Sequence, residues 1–518
     1  MIDTIELSLF VSRLQAICEE MGAVLRRSAF SPNIKDRLDF SCALFDVDGQ
    51  LCAQAAHIPV HLGSMAYAMA EVVRQFAWQP GDTVILNDPF KGGTHLPDVT
   101  LITPAFFDGE LLGFVVNRAH HANIGSDTPG SMPNASCLEE EGLLISPQLL
   151  LRGGAPNAAL CAQLCAALGL DVPEAAQLPS GDFTAQYSAN QVGVARLNAL
   201  IARQGVVAFK SALNVLQQYG ETMSREAVAQ LPTGQWDFSD VMDDDGYGQR
   251  DIRIALTLSI HASGITADFR GTAAQVRGNI NCPLAVTAAA VFYVLRCLLP
   301  DQAPTCAGIF RPMRILAEPG SLVHARYPAA VAAGNVETSM RLVDVMLGAL
   351  AQAIPERIPA ASQGSMNNVA MGARGEGGHW DYYETLGGGQ GAGPNRVGMS
   401  AAHAHMTNTL NTPVESLELH YPLRVRRYGL RHGSGGAGMR RGGDGLIREY
   451  EFLAPTVASL LTERRAQGPW GLAGGGSGKP GLNLLNGKEL PAKTSFTAQA
   501  GDVLRLETPG GGGHGAEQ

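Results

Sequence analysis

Charge is scarce in this chain. Only 17% of its 518 residues are Asp, Glu, Lys or Arg, against about 25% in ordinary soluble domains. A surface that manages with so little charge is expected to be partly covered by another subunit. The formal net charge is −10, with no Lys/Arg run and no block of like charges, which argues against nucleic acid and anionic membranes as partners. Long apolar runs are missing too. The longest membrane-like stretch, Leu284 to Leu299, is interrupted by Arg296 and falls short of the roughly 18 residues a span needs. Met1-Ile2-Asp3-Thr4-Ile5-Glu6 has neither a basic nor an apolar leader region, so no secretory signal is expected. The nine cysteines (18, 42, 52, 137, 161, 165, 282, 297 and 306) form no CxxC pair. Their odd number fits reduced core thiols in a cytoplasmic protein better than a disulfide scaffold.

Nucleotide motifs are absent as well. Gly474 to Lys479 ends in Gly478-Lys479, but a P-loop needs Gly where Ala473 stands and Ser or Thr where Pro480 stands. Gly387 to Gly393 fails the GxGxxG pattern, with Ala392 in the last position and no helix pattern after it. No GxSxG elbow is visible, and no cysteine has the basic or helical context of a nucleophile. The chain itself is expected to hold no ATP site.

Glycine is what the chain has in excess: 61 residues, nearly one in eight against about 7% on average. The glycines cluster without a fixed period, as in Gly387-Gly388-Gly389, Gly474-Gly475-Gly476 and Gly510 to Gly513, while 45% of residues are hydrophobic. That combination excludes both collagen and disorder. The clusters read as tight loops that pack strands and line a pocket. Length predicts about three units, placed at 1–190, 191–360 and 361–518. The class expected is mixed α+β: several packed α/β units with mixed sheets, long helices and a Gly-rich, β-containing C-terminal part.

Apolar residues at near-helical spacing from Ile5 to Leu25 predict an amphipathic helix over 5–29, ending before Ser31-Pro32. Strands are predicted at 43–45, 51–55 and 83–86. A hairpin of 99–107 with 111–116 turns at Asp108-Gly109. Further on, 193–230 predicts long helices, 252–260 with 265–269 a second hairpin, 284–299 and 338–353 two more helices, and 449–452 a strand.

Thirteen histidines are scattered through the chain, but His95-Leu96-Pro97-Asp98 and His120-His121 bracket the first hairpin. A hairpin returns its exit beside its entrance, so Asp98 and His120 come to the same end of the sheet, with His95 in the loop just before. Two imidazoles and a carboxylate suit a catalytic divalent metal that keeps an open position. Zinc or manganese fits such a set, and iron is also admissible. HxxD is a loose pattern, and the same residues serve equally well as loop histidines and a turn acid. Asp39, in Asp36-Arg37-Leu38-Asp39-Phe40, enters a strand and is a second-tier ligand. His57-Ile58-Pro59-Val60-His61 spaces two histidines at i, i+4, a ligand pair only on a helix, which Pro59 opposes. Asn335-Val336-Glu337-Thr338-Ser339 follows Gly334 and reads as a helix start, with Thr338 or Ser339 as cap. His403 to Asn411 reads as a pocket wall or a buried hydrogen-bonded loop.

Several blocks together resemble one family. They are Ser31 to Asp46 (SPNIKDRLDFSCALFD), Ala55 to Met65 (AAHIPVHLGSM), Asn87-Asp88-Pro89-Phe90 with Gly93 to Asp98 (GTHLPD), and Asn117-Arg118-Ala119-His120-His121. Gly278-Asn279-Ile280-Asn281, Gly334 to Thr338, Thr407 to Glu415 (TNTLNTPVE) and Pro469 to Gly475 (PWGLAGG) continue the match in order over nearly the whole chain. This pattern is similar to the hydantoinase B/oxoprolinase family.

The resemblance implies a B-type subunit of an ATP-dependent amidohydrolase, a hydrolase of cyclic amide C–N bonds acting on a hydantoin, 5-oxoproline or another lactam. In that family an A-type subunit or domain of the actin/sugar-kinase type binds ATP and phosphorylates the substrate oxygen. The B-type half completes the reaction at a metal site. Carried onto this sequence, the ligands fall on His95, Asp98 and His120, with Asp39 suiting a two-metal or five-coordinate site. Proximity in sequence makes His121, His57 and Glu139 candidates for moving protons, and Arg118 and Lys91 candidates for holding phosphate. The missing ATP motif and the low charge fit a chain that works against an A-type partner in a hetero-oligomer. Two alternatives stand beside this reading: a subunit of an acetone/acetophenone-type carboxylase, and a non-catalytic scaffold for the A-type partner. The chain is shorter than the carboxylase large subunits, which favours the hydrolase.

Overall fold

In a computed structural model, which describes residues 4–55, 57–171, 177–179, 181–374 and 379–517, the first helix forms as α1 (Thr4–Ser28). Its buried face carries Leu7, Phe10, Leu14, Ile17, Met21 and Leu25, which is the helical period of the apolar residues. A seven-stranded antiparallel sheet follows. Its strands are β1 (Phe40–Phe45), β2 (Leu51–Gln54), β3 (Thr83–Leu86), β4 (Asp98–Phe107), β5 (Glu110–His120), β6 (Gln148–Arg152) and β7 (Ala155–Pro156), in the order β2-β1-β5-β4-β3-β6-β7. The β4–β5 turn is tight because Asp108 and Gly109 both take positive φ, 49° and 80°, the pair of left-handed residues a two-residue hairpin loop demands.

Helices α2 (Pro32–Lys35) and α3 (His61–Val72) lie among the early strands, and α4 (Ala158–Leu168) follows β7. Helix α5 (Asp182–Gln204) runs across residue 190 and packs on α1, β4 and β5, so it belongs with the first sheet. At Gly205 the chain bends by 106° into α6 (Val206–Ala229). A second sheet has the order β11-β10-β9-β8, from β8 (Gly234–Asp244), β9 (Arg250–His261), β10 (Gly264–Asp268) and β11 (Met313–Leu316). Only β10 and β11 pair in parallel. Helices α7 (Leu284–Leu298) and α8 (Ser339–Ala353) pack against each other, and α7 also packs on α3. No single helix among the described residues is long and apolar enough to cross a membrane.

The helix start expected at Asn335–Ser339 differs in detail. Gly334–Thr338 is a π-helical turn that runs straight into α8, and neither hydroxyl caps it. Thr338 Oγ1 donates to the Ile280 carbonyl at 2.5 Å and Ser339 Oγ to the Asn335 carbonyl at 2.5 Å. The wide turn places Asn335 and Val336 at the end of the first sheet, a use typical of π-turns at functional sites.

The C-terminal part adds β12 (Asn368–Ala373), β13 (Trp380–Glu384), helix α9 (Val414–His420), β14 (Leu423–Arg431), β15 (Gly445–Phe452), β16 (Thr456–Leu461), β17 (Leu482–Leu485), β18 (Lys488–Glu489), β19 (Lys493–Ala498) and β20 (Val503–Glu507). They form two antiparallel sheets, β13-β12-β16-β19 and β14-β15-β20-β17-β18. Buried ion pairs tie this part to α8 and β8: Arg464 Nη2 lies 2.7 Å from both Asp240 and Asp344, and Arg341 Nη2 lies 3.1 Å from Glu463. The largest apolar core likewise runs through the three expected units, from Leu7 through Leu258 and Met346 to Leu461. All nine cysteines are free, and seven are buried.

The glycine clusters do more than turn the chain. Segments around 389–392, 435–443, 468–478 and 509–514 lie side by side and exchange backbone hydrogen bonds, as in Gly436 N to Gly511 O, Gly511 N to Gly443 O, Gly443 N to Gln390 O and Gly513 N to Gly476 O. A Cβ on Gly511 would collide with the Gln390 carbonyl, one on Gly443 with that of Met399, and one on Gly512 with that of Trp470. Only side-chain-free backbone approaches this closely. Many of the clustered glycines build a bundle of interlocked backbone.

Candidate metal centre

Strands β4 and β5 deliver the site. Asp98 and His120 are paired in the ladder, and His95 precedes β4 by one turn, with Asp98 N donating to His95 O at 3.1 Å. The three side chains converge, all essentially buried. His95 Nε2 lies 3.2 Å from Asp98 Oδ1, His120 Nδ1 lies 3.3 Å from the same oxygen, and the two nitrogens are 3.2 Å apart. Among the described residues this is the one group of His, Cys, Asp or Glu with ligand atoms close enough to share a metal ion.

The donor set fits a divalent ion. Tetrahedral ligands 2.0–2.1 Å from zinc stand about 3.3 Å apart, which the edges of this triangle match. The His95 Nδ1 faces the Ala332 carbonyl at 3.3 Å, a bond that holds the proton on Nδ1 and leaves the Nε2 lone pair facing the triangle. Asp98 Oδ2 accepts from the Thr94 hydroxyl at 2.5 Å and lies 3.4 Å from His61 Nε2, so Oδ1 is the oxygen presented. The His120 ring lies flat on Tyr383, with centroids 4.7 Å apart and planes 9° apart, and its Nε2 is buried with no hydrogen-bond partner among the described residues. Burial pushes Asp98 up, but the imidazoles of His95, His120 and His61 outweigh it and hold the carboxyl well below its usual range. Burial pushes His120 down against the pull of Asp98.

A cavity of about 20 Å³ borders the triangle, room for roughly one water. Asp39 lines it beside Asp98 and His120. The Asp39 carboxylate lies 3.8 Å from Arg37 Nη2, and its backbone carbonyl accepts from His120 N at 3.0 Å. His61 lines it as well. The spacing argument against His61 rested on Pro59, but α3 begins at His61, so Pro59 precedes the helix and does not break it. His61 Nδ1 is 3.0 Å from Ser41 Oγ. The 403–411 segment proves to be both wall and hydrogen-bonded loop: Met406, Thr407 and Thr409 face the cavity, and His403 Nδ1 lies 3.1 Å from Thr407 Oγ1.

The other expected site residues do not border this cavity. His121 follows His120 just past the end of β5 and turns away from the triangle: its Nε2 meets Gln186 Oε1 at 2.8 Å and its ring packs on Phe183. His57 packs on Phe40, with centroids 4.7 Å apart. Glu139 is exposed and accepts from the Tyr327 hydroxyl at 2.5 Å. Arg118 is committed to Thr100, Ser64 and the Gly92 carbonyl, and Lys91 lies 3.7 Å from Glu71 at the surface. Sequence reasoning missed His61, Thr94 and Tyr383. Thr94 had a legible signal, its place beside His95 and four residues before Asp98.

Proteins already known share this fold and much of this sequence. The ATP-dependent caprolactamase from Pseudomonas jessenii superposes with a TM-score of 0.90 at 27% identity, covering 100% of this chain and 92% of that one. Nucleotide-free acetone carboxylase superposes with a TM-score of 0.85 at 16% identity over 99% of this chain and 76% of that one, a likeness of fold alone. 5-Oxoprolinase 1 of Arabidopsis thaliana is 40% identical over 539 residues, covering 99% of this chain, which spans 42% of that relative's length. A relative from Pseudomonas sp. (strain NS671), a putative B-type subunit of a D-/L-hydantoinase, is 33% identical, covering 99% of this chain and 90% of the relative. The family model described as hydantoinase B/oxoprolinase matches residues 3–517, and the chain belongs to that family.

Proposed function

We propose that this chain is the B-type half of an ATP-dependent enzyme that opens a cyclic amide such as a hydantoin, 5-oxoproline or another lactam. An A-type partner binds ATP and phosphorylates the amide oxygen, and this chain completes the reaction on the product. The observation that carries the reading is the buried triangle of His95 Nε2, Asp98 Oδ1 and His120 Nδ1, with edges of 3.2–3.3 Å. These residues would hold a zinc, manganese or iron ion, with Asp39 on the same cavity as an additional ligand. Bound there, the ion supplies a Lewis acid and brings the pKa of a water towards about 7.

The chain's own side chains prepare that chemistry. Thr94 and His61 hold Asp98 Oδ2 and so aim Oδ1 at the triangle. The Ala332 carbonyl orients His95, and the Tyr383 ring fixes the plane of His120. Water adds at the carbon that phosphorylation makes electrophilic, the C–N bond breaks with the nitrogen taking a proton, and a second water releases inorganic phosphate from the acyl phosphate that remains. His121, His57 and Glu139 take no step in this reading, because none borders the cavity.

Product analysis of the purified complex with its partner and ATP tests it. Ring-opened amino acid from 5-oxoproline, N-methylhydantoin or caprolactam supports the hydrolase. A carboxylated ketone from acetone and bicarbonate instead identifies a carboxylase component, and amide hydrolysis by the partner without this chain identifies a scaffold.

A further inference from the structure

The triangle is sealed. His95, Asp98 and His120 are 0%, 1% and 2% exposed, and the cavity beside them, about 20 Å³, admits a water and no ring. An ion on its way to the triangle needs a wall that moves, and so does a substrate carbon. One wall is a single residue thick. Met406, Thr407 and Thr409 line the cavity and are buried, whereas Asn408, between two of them, and Leu410 are exposed to solvent. Among the described residues no other part of the lining has an exposed chain neighbour. The strip is also lightly held. It lies between β13 and α9 in a stretch that forms neither helix nor strand, so no ladder or helical bond breaks when it shifts. Its C-terminal side is anchored, with Leu410 N donating to the Arg37 carbonyl at 3.0 Å and Asn411 Nδ2 to the Thr385 carbonyl at 2.8 Å. Across from it, the loop leading into α3 lines the cavity with Ile58 and Val60. The strip is fastened to that loop by Asn408, whose Nδ2 donates to the His57 carbonyl at 3.0 Å.

We propose that residues 406–410 are the gate of the triangle and that Asn408 is its latch. The bond to His57 opens, the strip swings on the side anchored at Leu410 and Asn411, and the ion and the carbon activated by phosphorylation reach the triangle by that way. No covalent bond is made or broken in the movement. Asn408 touches neither a ligand nor a reacting atom and acts through the strip, as a positioning residue. A hydrogen bond at the surface adds little to global stability, yet it sets how often a local opening occurs. For the ion the inference stands on the triangle and its walls; for the carbon it rests on the cyclic-amide reading.

Metal exchange tests it, read on the complete complex loaded with zinc and mixed with EDTA at concentrations where the rate no longer depends on EDTA. Asn408→Ala is expected to release zinc about 2–10-fold faster and to take it up faster by the same factor, so that affinity stays within about twofold. Amide hydrogen exchange in a peptide covering 403–411 is expected to rise with it, while that of β4 and β5 stays at wild type. Asn408→Asp, which keeps the size and loses the donor, acts in the same direction. Tyr327→Phe removes an exposed hydrogen bond, to Glu139, away from the cavity and is expected to change none of these. Zinc release at the wild-type rate in both Asn408 variants overturns the inference. So does faster release with affinity weakened in proportion, because that marks a disturbed ligand set and not a gate. The carbon is read separately, as ADP formed per amide opened with ATP and the best substrate among 5-oxoproline, N-methylhydantoin and caprolactam. A looser gate lets the activated carbon escape before water adds, so the ratio is expected to rise in Asn408→Ala; a wild-type ratio beside faster zinc release overturns the gate as the way in for the carbon. A wild-type complex that turns over none of the three amides overturns the functional reading, and zinc exchange still decides the gate.

Discussion

Asp98 and His120 are register partners at the open end of the β4–β5 hairpin, and their side chains meet at 3.3 Å. The strands between them serve the site by returning the chain to where it left. A two-residue turn fixes the register, and a slip of one residue would send His120 to the opposite face and bring His121 to the triangle.

Thr94 shapes the site without joining it. Its hydroxyl occupies Asp98 Oδ2 at 2.5 Å, and partners of this kind typically tune metal affinity by 10–100-fold. Thr94→Val keeps the shape and removes the donor. Competition with a chelator is expected to show roughly 10–100-fold weaker zinc or manganese binding, with the thermal midpoint little changed. Equal affinities would mean that Asp98 is held by packing alone.

The glycine bundle is expected to be intolerant of a single methyl group. In Gly511→Ala the new carbon meets the Gln390 carbonyl, which is backbone and cannot swing away, at a cost of about 3 kcal/mol or more. Gly429→Ala is the control, since nothing lies within 4 Å of its Cβ, and it should stay within about 0.5 kcal/mol of wild type. Denaturant midpoints compare the two. Coincident midpoints would contradict close backbone packing as the reason for the glycine excess.

Glu141 gives the protein a pH signature away from the triangle. Its Oε1 accepts from Val331 N and Ala332 N, both at 2.8 Å, while Oε2 is buried with no hydrogen-bond partner among the described residues. Burial pushes its pKa from 4.5 to about 8. The folded chain therefore binds this proton more tightly than the unfolded chain. The associated stability is complete below about pH 4.5 and is lost as pH rises through about 8. Glu141→Gln keeps the acceptor and cannot ionise. Its thermal midpoint is expected to fall less than that of wild type between pH 6 and pH 9; parallel curves would show that Glu141 does not ionise in that window.

Local pattern made half of this site legible. The apolar period of α1, the Asp108-Gly109 turn and the pairing of Asp98 with His120 all follow from spacing within a few dozen residues. His61 was hidden because Pro59 argues against a helix, whereas the helix starts two residues later. Tyr383, on β13, lies more than 260 residues beyond His120, a juxtaposition no local period encodes. The glycine bundle is opaque for the same reason: each collision partner belongs to a distant segment, so the composition shows that glycine is needed without showing against what.

In the proposed function, His95, Asp98 and His120 would hold a divalent ion on which turnover depends. Elemental analysis of purified wild type and His95→Ala, paired with ATP-dependent ring opening by the complete complex, tests it most directly. About one zinc, manganese or iron is expected per wild-type chain, with metal and turnover lost together in His95→Ala at an unchanged fold. A His95→Ala protein that keeps both its full metal content and its activity would contradict it.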